Sequence, residues 1–204
     1  LVSRQLKPLS RNYGSDRGEP LDRYYIEKFL SENANFIKGD CLEIENNTYC
    51  LSFGKNCKCD VLDINKSNPK ATTTADLRNM PEIKNETYDC IILTQVLQFV
   101  DDYESAIREC QRVLKSGGVL LATLPFVSRT DVRAGISGDF WRFTRASTQY
   151  VFGKYFPQPE VKSWGNILSG LGFWVGMAQE ELSKKELDHN DPDFPVLISV
   201  KAIK

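Results

Sequence analysis

Histidine is almost missing from this chain, with His189 the single one. A metal centre built on imidazoles is therefore not expected, and the scattered carboxylates supply no defined ligand set in its place. An excess of either charge is missing too. The net charge of −1 gives no overall attraction for nucleic acid or an anionic membrane. No apolar run approaches the length of a transmembrane segment and no signal peptide is visible, so a cytoplasmic protein is expected. The six cysteines also lack the spacing of a zinc pair at Cys57 and Cys59. Cys41, Cys90 and Cys110 sit in apolar-patterned segments, where a free thiol behaves as a small hydrophobe. All six are expected to be reduced.

What is present suits one well-buried domain: 204 residues, 41% apolar and 26% charged. Residues 1–20 are polar and punctuated by Gly14, Gly18 and Pro20. They read as an N-terminal arm, ordered only if it packs on something, ahead of a single domain over 21–204. A helix is expected from Leu21 to Leu30, with Tyr24, Tyr25, Phe29 and Leu30 as its apolar surface. Cys41 to Ile44 reads as a short buried strand that runs into an Asn-rich turn and a helical segment from Tyr49 to Phe53. A second strand, Cys59 to Leu62, ends in Asp63, and a third, Ala71 to Thr74, is followed by Asp76. Strand ends that open into such turns are where open α/β sheets hold nucleotide-like ligands, and an acidic residue there can bond a ribose.

Tyr88 to Leu93 is the most strand-like run, apolar on both faces as a central parallel strand requires. Thr94 and Gln95 follow it at the same sheet edge. Asp101 or Asp102 can cap a helix from Tyr103 to Leu114, whose Ala106, Ile107, Cys110, Val113 and Leu114 share one face. Lys115-Ser116-Gly117-Gly118 ends it, and Val119 to Thr123 is the next strand.

Leu42-Glu43-Ile44, Asp63, Ala75-Asp76-Leu77, Tyr88 to Ile92 and Leu114 to Leu120 resemble, in order, the motifs of class I S-adenosylmethionine-dependent methyltransferases. The resemblance is nearest to small methyltransferases encoded beside, or fused to, glycosyltransferases of bacterial surface polysaccharides. Arg17-Gly18 to Tyr25, Asp139 to Thr144 and Asp191 to Val196 look like segments shared with that group. It implies a Rossmann-like three-layer α/β sandwich, with a mostly parallel seven-stranded sheet and an antiparallel C-terminal strand. S-adenosylmethionine is the implied cofactor, a glycan or sugar hydroxyl the implied acceptor, and a fused or associated glycosyltransferase the implied partner. A chain beginning at Leu1 suits a piece of such a fusion, and equally a removed tag.

By that resemblance Glu43 begins the cofactor loop, Asp63 with Ile64 holds the ribose, Asp76 and Leu77 frame the adenine, and Thr94 and Gln95 face the methionine portion. Arg23 could line the cofactor mouth. The family loop usually carries Gly where this chain has Glu45 and Asn47, because Gly permits positive φ and close backbone approach. Asn tolerates the left-handed region, so Asn47 is the easier substitute. Glu45 is expected to repel the cofactor carboxylate unless it pairs with the ammonium.

Phe126 to Gly138 reads as a substrate-side loop, followed by the aromatic cluster around Trp141 and by a helix from Arg145 to Phe152 capped by Thr144. Trp164 to Leu182 reads as a strand exit and then a glycine-containing apolar helix. Pro195 to Ile203 forms the last strand, paired with Glu160 to Trp164. Asp139 is the first choice of general base, with Arg142 positioning the substrate and His189 the runner-up. Two further functions stand beside sugar O-methylation. One is a degenerate module that binds glycan or a glycosyltransferase, and the other is methylation of a small metabolite.

Overall fold

The structure is a computed structural model and describes residues 6–131 and 138–204. Seven strands form one sheet in the order β3-β2-β1-β4-β5-β7-β6. They are β1 (Gly39–Ile44), β2 (Cys57–Asp63), β3 (Thr73–Thr74), β4 (Tyr88–Thr94), β5 (Leu114–Pro125), β6 (Glu160–Trp164) and β7 (Leu197–Ile203). β1 pairs in parallel with both β2 and β4, and β4 in parallel with β5. β7 lies antiparallel to β5 and β6. The expected Rossmann-like α/β architecture is the one observed.

The chain first winds outward through β2 and β3, then returns to lay β4 against the other side of β1. That reversal makes the carboxyl ends of β1 and β4 a switch point, where loops leave in opposite directions and open a crevice.

Two core clusters cover the two faces. α1 (Leu21–Glu32), α2 (Thr48–Phe53) and α5 (Ile167–Val175) cover one, and α3 (Tyr103–Val113) and α4 (Arg145–Phe152) the other. α1 buries Leu21, Tyr25, Ile26, Phe29 and Leu30, a stripe at helical spacing. Asp102 caps α3 by accepting from Ser105 N at 3.1 Å, and Thr144 caps α4 through Ser147 N.

Three boundaries differ from the sequence reading. α3 stops at Val113, and Leu114 already pairs with Tyr88, so Lys115 to Gly118 belong to β5. The long apolar segment breaks after Val175 at Gly176, whose φ of 84° closes α5, and the short α6 (Lys184–Asp188) follows. β3 shrinks to two residues.

The cysteines require a correction. Cys50, on α2, lies over Cys59, on β2, and the two are joined as a disulfide with Cα atoms 6.3 Å apart. The sequence reading missed this because a helix residue and a strand residue meet only once α2 folds back over the β1–β2 edge. Cys41, Cys57, Cys90 and Cys110 are free thiols.

The arm packs. Leu9 N and Ser10 N both donate to Val175 O, Gln179 N donates to Glu19 O, and Arg17 pairs with Glu181. Ser10 Oγ accepts from Asn12 N and Gly14 N, which fixes the turn that carries Tyr13.

Candidate active site

A cavity of about 740 Å³ opens at the switch point. Its floor includes Ile44, the last residue of β1, with Glu45 and Asn46 beyond it, Asp63 at the end of β2, and Thr94, the last residue of β4, with Gln95 beyond it. A second cavity of about 320 Å³ adjoins it, walled by Ile64, Ala75, Leu77 and Val100 with Asp76 at its edge. Ile44, Asp63, Val96 and Phe99 line both, so the two form one elongated cleft with Asp63 at its waist.

Glu43 lines the large cavity, but its carboxylate is engaged by the α2 backbone. Its side chain is buried and turned into α2, where one oxygen accepts from Tyr49 N at 3.0 Å and the other from Cys50 N at 2.8 Å. Burial pushes its carboxyl above the usual range, while those two N–H groups pull it back. Its observed role is to anchor the loop.

The left-handed residue in that loop is Glu45, at φ 70°, with its side chain exposed. Asn47 instead has φ −115°, stands just before α2 and lines neither cavity, its neighbour Asn46 doing so in its place. The expectation for Asn47 is corrected accordingly. Glu45 N donates to Leu62 O and Glu45 O accepts from Asn68 Nδ2, bonds that hold the unfavourable backbone. Gln95 is also left-handed, at φ 54°.

Asp63 keeps both oxygens at the waist, where they accept from Asn65 N and Asn68 Nδ2. Asp76 is more heavily engaged. Arg78 forks onto it and also pairs with Asp101, and this guanidinium holds the Asp76 carboxyl below its usual range. Arg23 donates to Tyr49 Oη at 2.7 Å, and both line the large cavity.

The opposite wall comes from parts of the chain that the motifs do not mark. Tyr13 stacks on Phe173 with ring centroids 5.7 Å apart, and the Arg129 guanidinium lies 3.8 Å over the Tyr13 ring. Asn12, Ser15, Ser128 and Asp131 complete this wall. Gly14, beside Tyr13, hinted at a turn there, and Ser128, Arg129 and Asp131 belong to the loop read from the sequence as substrate-side, of which 132–137 lie outside the described residues; for Phe173 no local signal exists.

Asp139 and Arg142 hold this wall from behind. Asp139 binds Arg142 through both oxygens and accepts from Asp131 N at 2.8 Å, while Arg142 Nη2 donates to Arg129 O. Arg142 keeps the Asp139 carboxyl below its usual range. A general base works best with a pKa near the working pH, so this pair is built as a loop clamp. His189 caps α6, and its carbonyl accepts from Asn166 Nδ2. It lies on the α5–α6 side and lines neither cavity. The structure thus does not bring Asp139, Arg142 or His189 together with the cleft floor, since none of the three lines either cavity.

Among the described residues, Glu43, Cys50 and Cys59 bring potential ligand atoms within 4.8 Å of one another. The two sulfurs are bonded together and both Glu43 oxygens accept amide N–H groups, so this trio is engaged as structure.

Residues 31–122 match the family described as Methyltransferase domain, a span that contains every strand-end residue of the cleft floor. No curated protein matches the chain. Among solved structures, an S-adenosylmethionine-dependent methyltransferase from Mesorhizobium loti is 14% identical with a TM-score of 0.62, covering 90% of this chain and 100% of that one. A second from Archaeoglobus fulgidus is 10% identical with a TM-score of 0.59, covering 89% and 94%. The [4+2]-cyclase SpnF is 16% identical with a TM-score of 0.59, covering 97% and 87%. The fold is therefore that of the S-adenosylmethionine-dependent methyltransferases. The domain match indicates S-adenosylmethionine as the cofactor, and the elongated cleft suits it, with an apolar slot, a carboxylate at the waist and a polar end.

Proposed function

We propose that this protein is an S-adenosylmethionine-dependent methyltransferase that O-methylates a sugar hydroxyl. The observation that carries the reading is the cleft at the switch point with Asp63 at its waist. When bound, the cofactor supplies an activated methyl group and a good leaving group, which leaves the protein to align the acceptor and accept one proton. Asp63 would hold the ribose hydroxyls, the slot between Ile64 and Leu77 the adenine, and Thr94, Gln95 and Arg23 the methionine end.

The opposite wall supports a sugar acceptor. It joins the aromatic faces of Tyr13 and Phe173 to Asn12, Ser15, Ser128 and Asp131, a mixture suited to a ring carrying hydroxyls. The surface-glycan context and a glycosyltransferase partner rest on the sequence resemblance, as does a cytoplasmic location. Asp22 lines the same cavity, and burial pushes its carboxyl up, against the pull of Arg23. In this reading Asp22 is the base, so Asp22→Asn should slow turnover far more than it weakens binding of the product S-adenosylhomocysteine.

A non-catalytic module is the second reading, favoured by the charged, left-handed Glu45 at the cofactor loop. One measurement separates the two. S-adenosylhomocysteine should raise the melting temperature, since a ligand that binds only the native state stabilises it. No shift at millimolar ligand would leave the non-catalytic reading standing.

A further inference from the structure

We infer that Phe140 stacks on the adenine of the cofactor and closes the slot that receives it. The inference rests on the methyltransferase reading above, because it adds a binding residue to that same cleft. Phe140 lines the smaller cavity, although it lies far along the chain from the strand ends that build the rest of the slot. At about 320 Å³ the slot is near the low end of ligand pockets, about 300–1,000 Å³, and suits one base rather than a whole cofactor.

The open surface of the slot is apolar. Its charged groups are matched with one another, since Arg78 forks onto Asp76 and also pairs with Asp101. The apolar side chains left most open around it are Ile64 at 69%, Phe140 at 45% and Phe99 at 37% exposure. A flat base laid over them removes that surface from water, and the aromatic rings can stack on it as well. Phe99 lines both cavities and so stands at the waist, whereas Phe140 lines the slot alone.

The ring is held in place before any ligand arrives. Phe140 N donates to Gln98 O at 2.8 Å, and Trp141 Nε1 donates to Val100 O at 3.0 Å. These bonds fasten residues 140–141 to the turn over 97–100, whose Phe99 and Val100 wall the same slot. Behind them Trp141 meets Tyr103 edge-on with centroids 5.2 Å apart, and Tyr103 meets the buried Phe143 in the same way at 5.4 Å. On the other side of Phe140, Asp139 is bound to Arg142 through both oxygens. A ring fixed from both sides loses little freedom when a base covers it.

The test is a calorimetric titration of the whole chain with S-adenosylhomocysteine and, separately, with adenosine, which carries the base without the amino-acid end. Phe140→Ala should weaken both by about tenfold, within the range for stacking on one base, and by the same factor for each. Phe140→Tyr keeps the ring and should bind both like wild type. The inference is overturned if Phe140→Ala binds both ligands like wild type, if it loses S-adenosylhomocysteine but not adenosine, or if Phe140→Tyr is as weak as Phe140→Ala. Failure of the wild type to bind S-adenosylhomocysteine would strike the methyltransferase reading, and the adenosine titration would still decide the role of Phe140. A wild type that binds neither ligand overturns both.

Discussion

The proposed cofactor side of the cleft draws on Glu45, Asn46, Asp63, Thr94 and Gln95, which end or directly follow parallel strands. The facing side draws on Tyr13, Arg129, Asp131 and Phe173, from the arm, a loop and a helix face far apart in sequence. The first side is fixed by the sheet: once β1, β2 and β4 pair in register, the residues beyond them have nowhere else to go. The second exists only after long-range packing brings three separate segments together. Ligand chemistry that many acceptors share therefore sits on the rigid half, and chemistry that can vary with the acceptor sits on the assembled half.

The largest expected effect tests that division directly. Asp63→Ala should cost about 1.5–3 kcal/mol of S-adenosylhomocysteine affinity, the range for hydrogen bonds to a charged group, and should erase most of the thermal stabilisation. Tyr13→Ala should leave that affinity within about threefold while lowering turnover of the acceptor. If Tyr13→Ala weakens the product as much as Asp63→Ala does, the halves are not separable.

Reduction of Cys50–Cys59 comes next. The bridge spans nine positions and ties α2 to β2 behind Glu43. Closing so short a loop is worth about 2–3 kcal/mol in the chain-entropy account, a fall of about 4–12 °C in Tm for a chain of this length. Because the bridge backs the loop beyond β1, S-adenosylhomocysteine affinity should drop on reduction. A Tm indifferent to a reductant would mean that the bridge adds no stability.

Glu45→Gly is the smallest. It relieves the cost of about 1–2 kcal/mol that a left-handed backbone imposes on an L-residue, and it deletes a carboxylate beside the expected position of the cofactor's own. A small rise in Tm and tighter S-adenosylhomocysteine binding are expected. If affinity instead falls tenfold, about 1.4 kcal/mol, Glu45 is a ligand for the ammonium and sharpens the cofactor half rather than spoiling it.

The same division decides what the sequence disclosed. Ile91 and Ile92 mark β4 by composition alone, and Asp63 follows from the strand before it. Lys115 to Gly118 carry the signals that end a helix, yet they continue as strand because Gly117 N donates to Lys204 O and Lys204 N to Gly118 O. A partner 87 positions away leaves no local trace. Asp139 and Arg142 stood out as polar residues among aromatics. Their place beside the substrate-side loop was legible, but their partners were not, since only the folded loop shows them bound to each other and turned toward residues 128–131. Cys50 and Cys59 were hidden for a like reason, one periodic with a helix and the other with a strand.

The Ser10 turn and its tether to Val175 O have a consequence for timing. Such a short docked segment opens locally at a free energy well below that of global unfolding. Opening would carry Tyr13 away from Phe173 and take one wall off the cleft without disturbing the sheet. Escape of a bound molecule through that gap and exchange of the Leu9 and Ser10 amides with solvent would then be two readings of a single event. How long the molecule stays would be set by the hold of residues 9–19, and how tightly its ribose is gripped by the sheet.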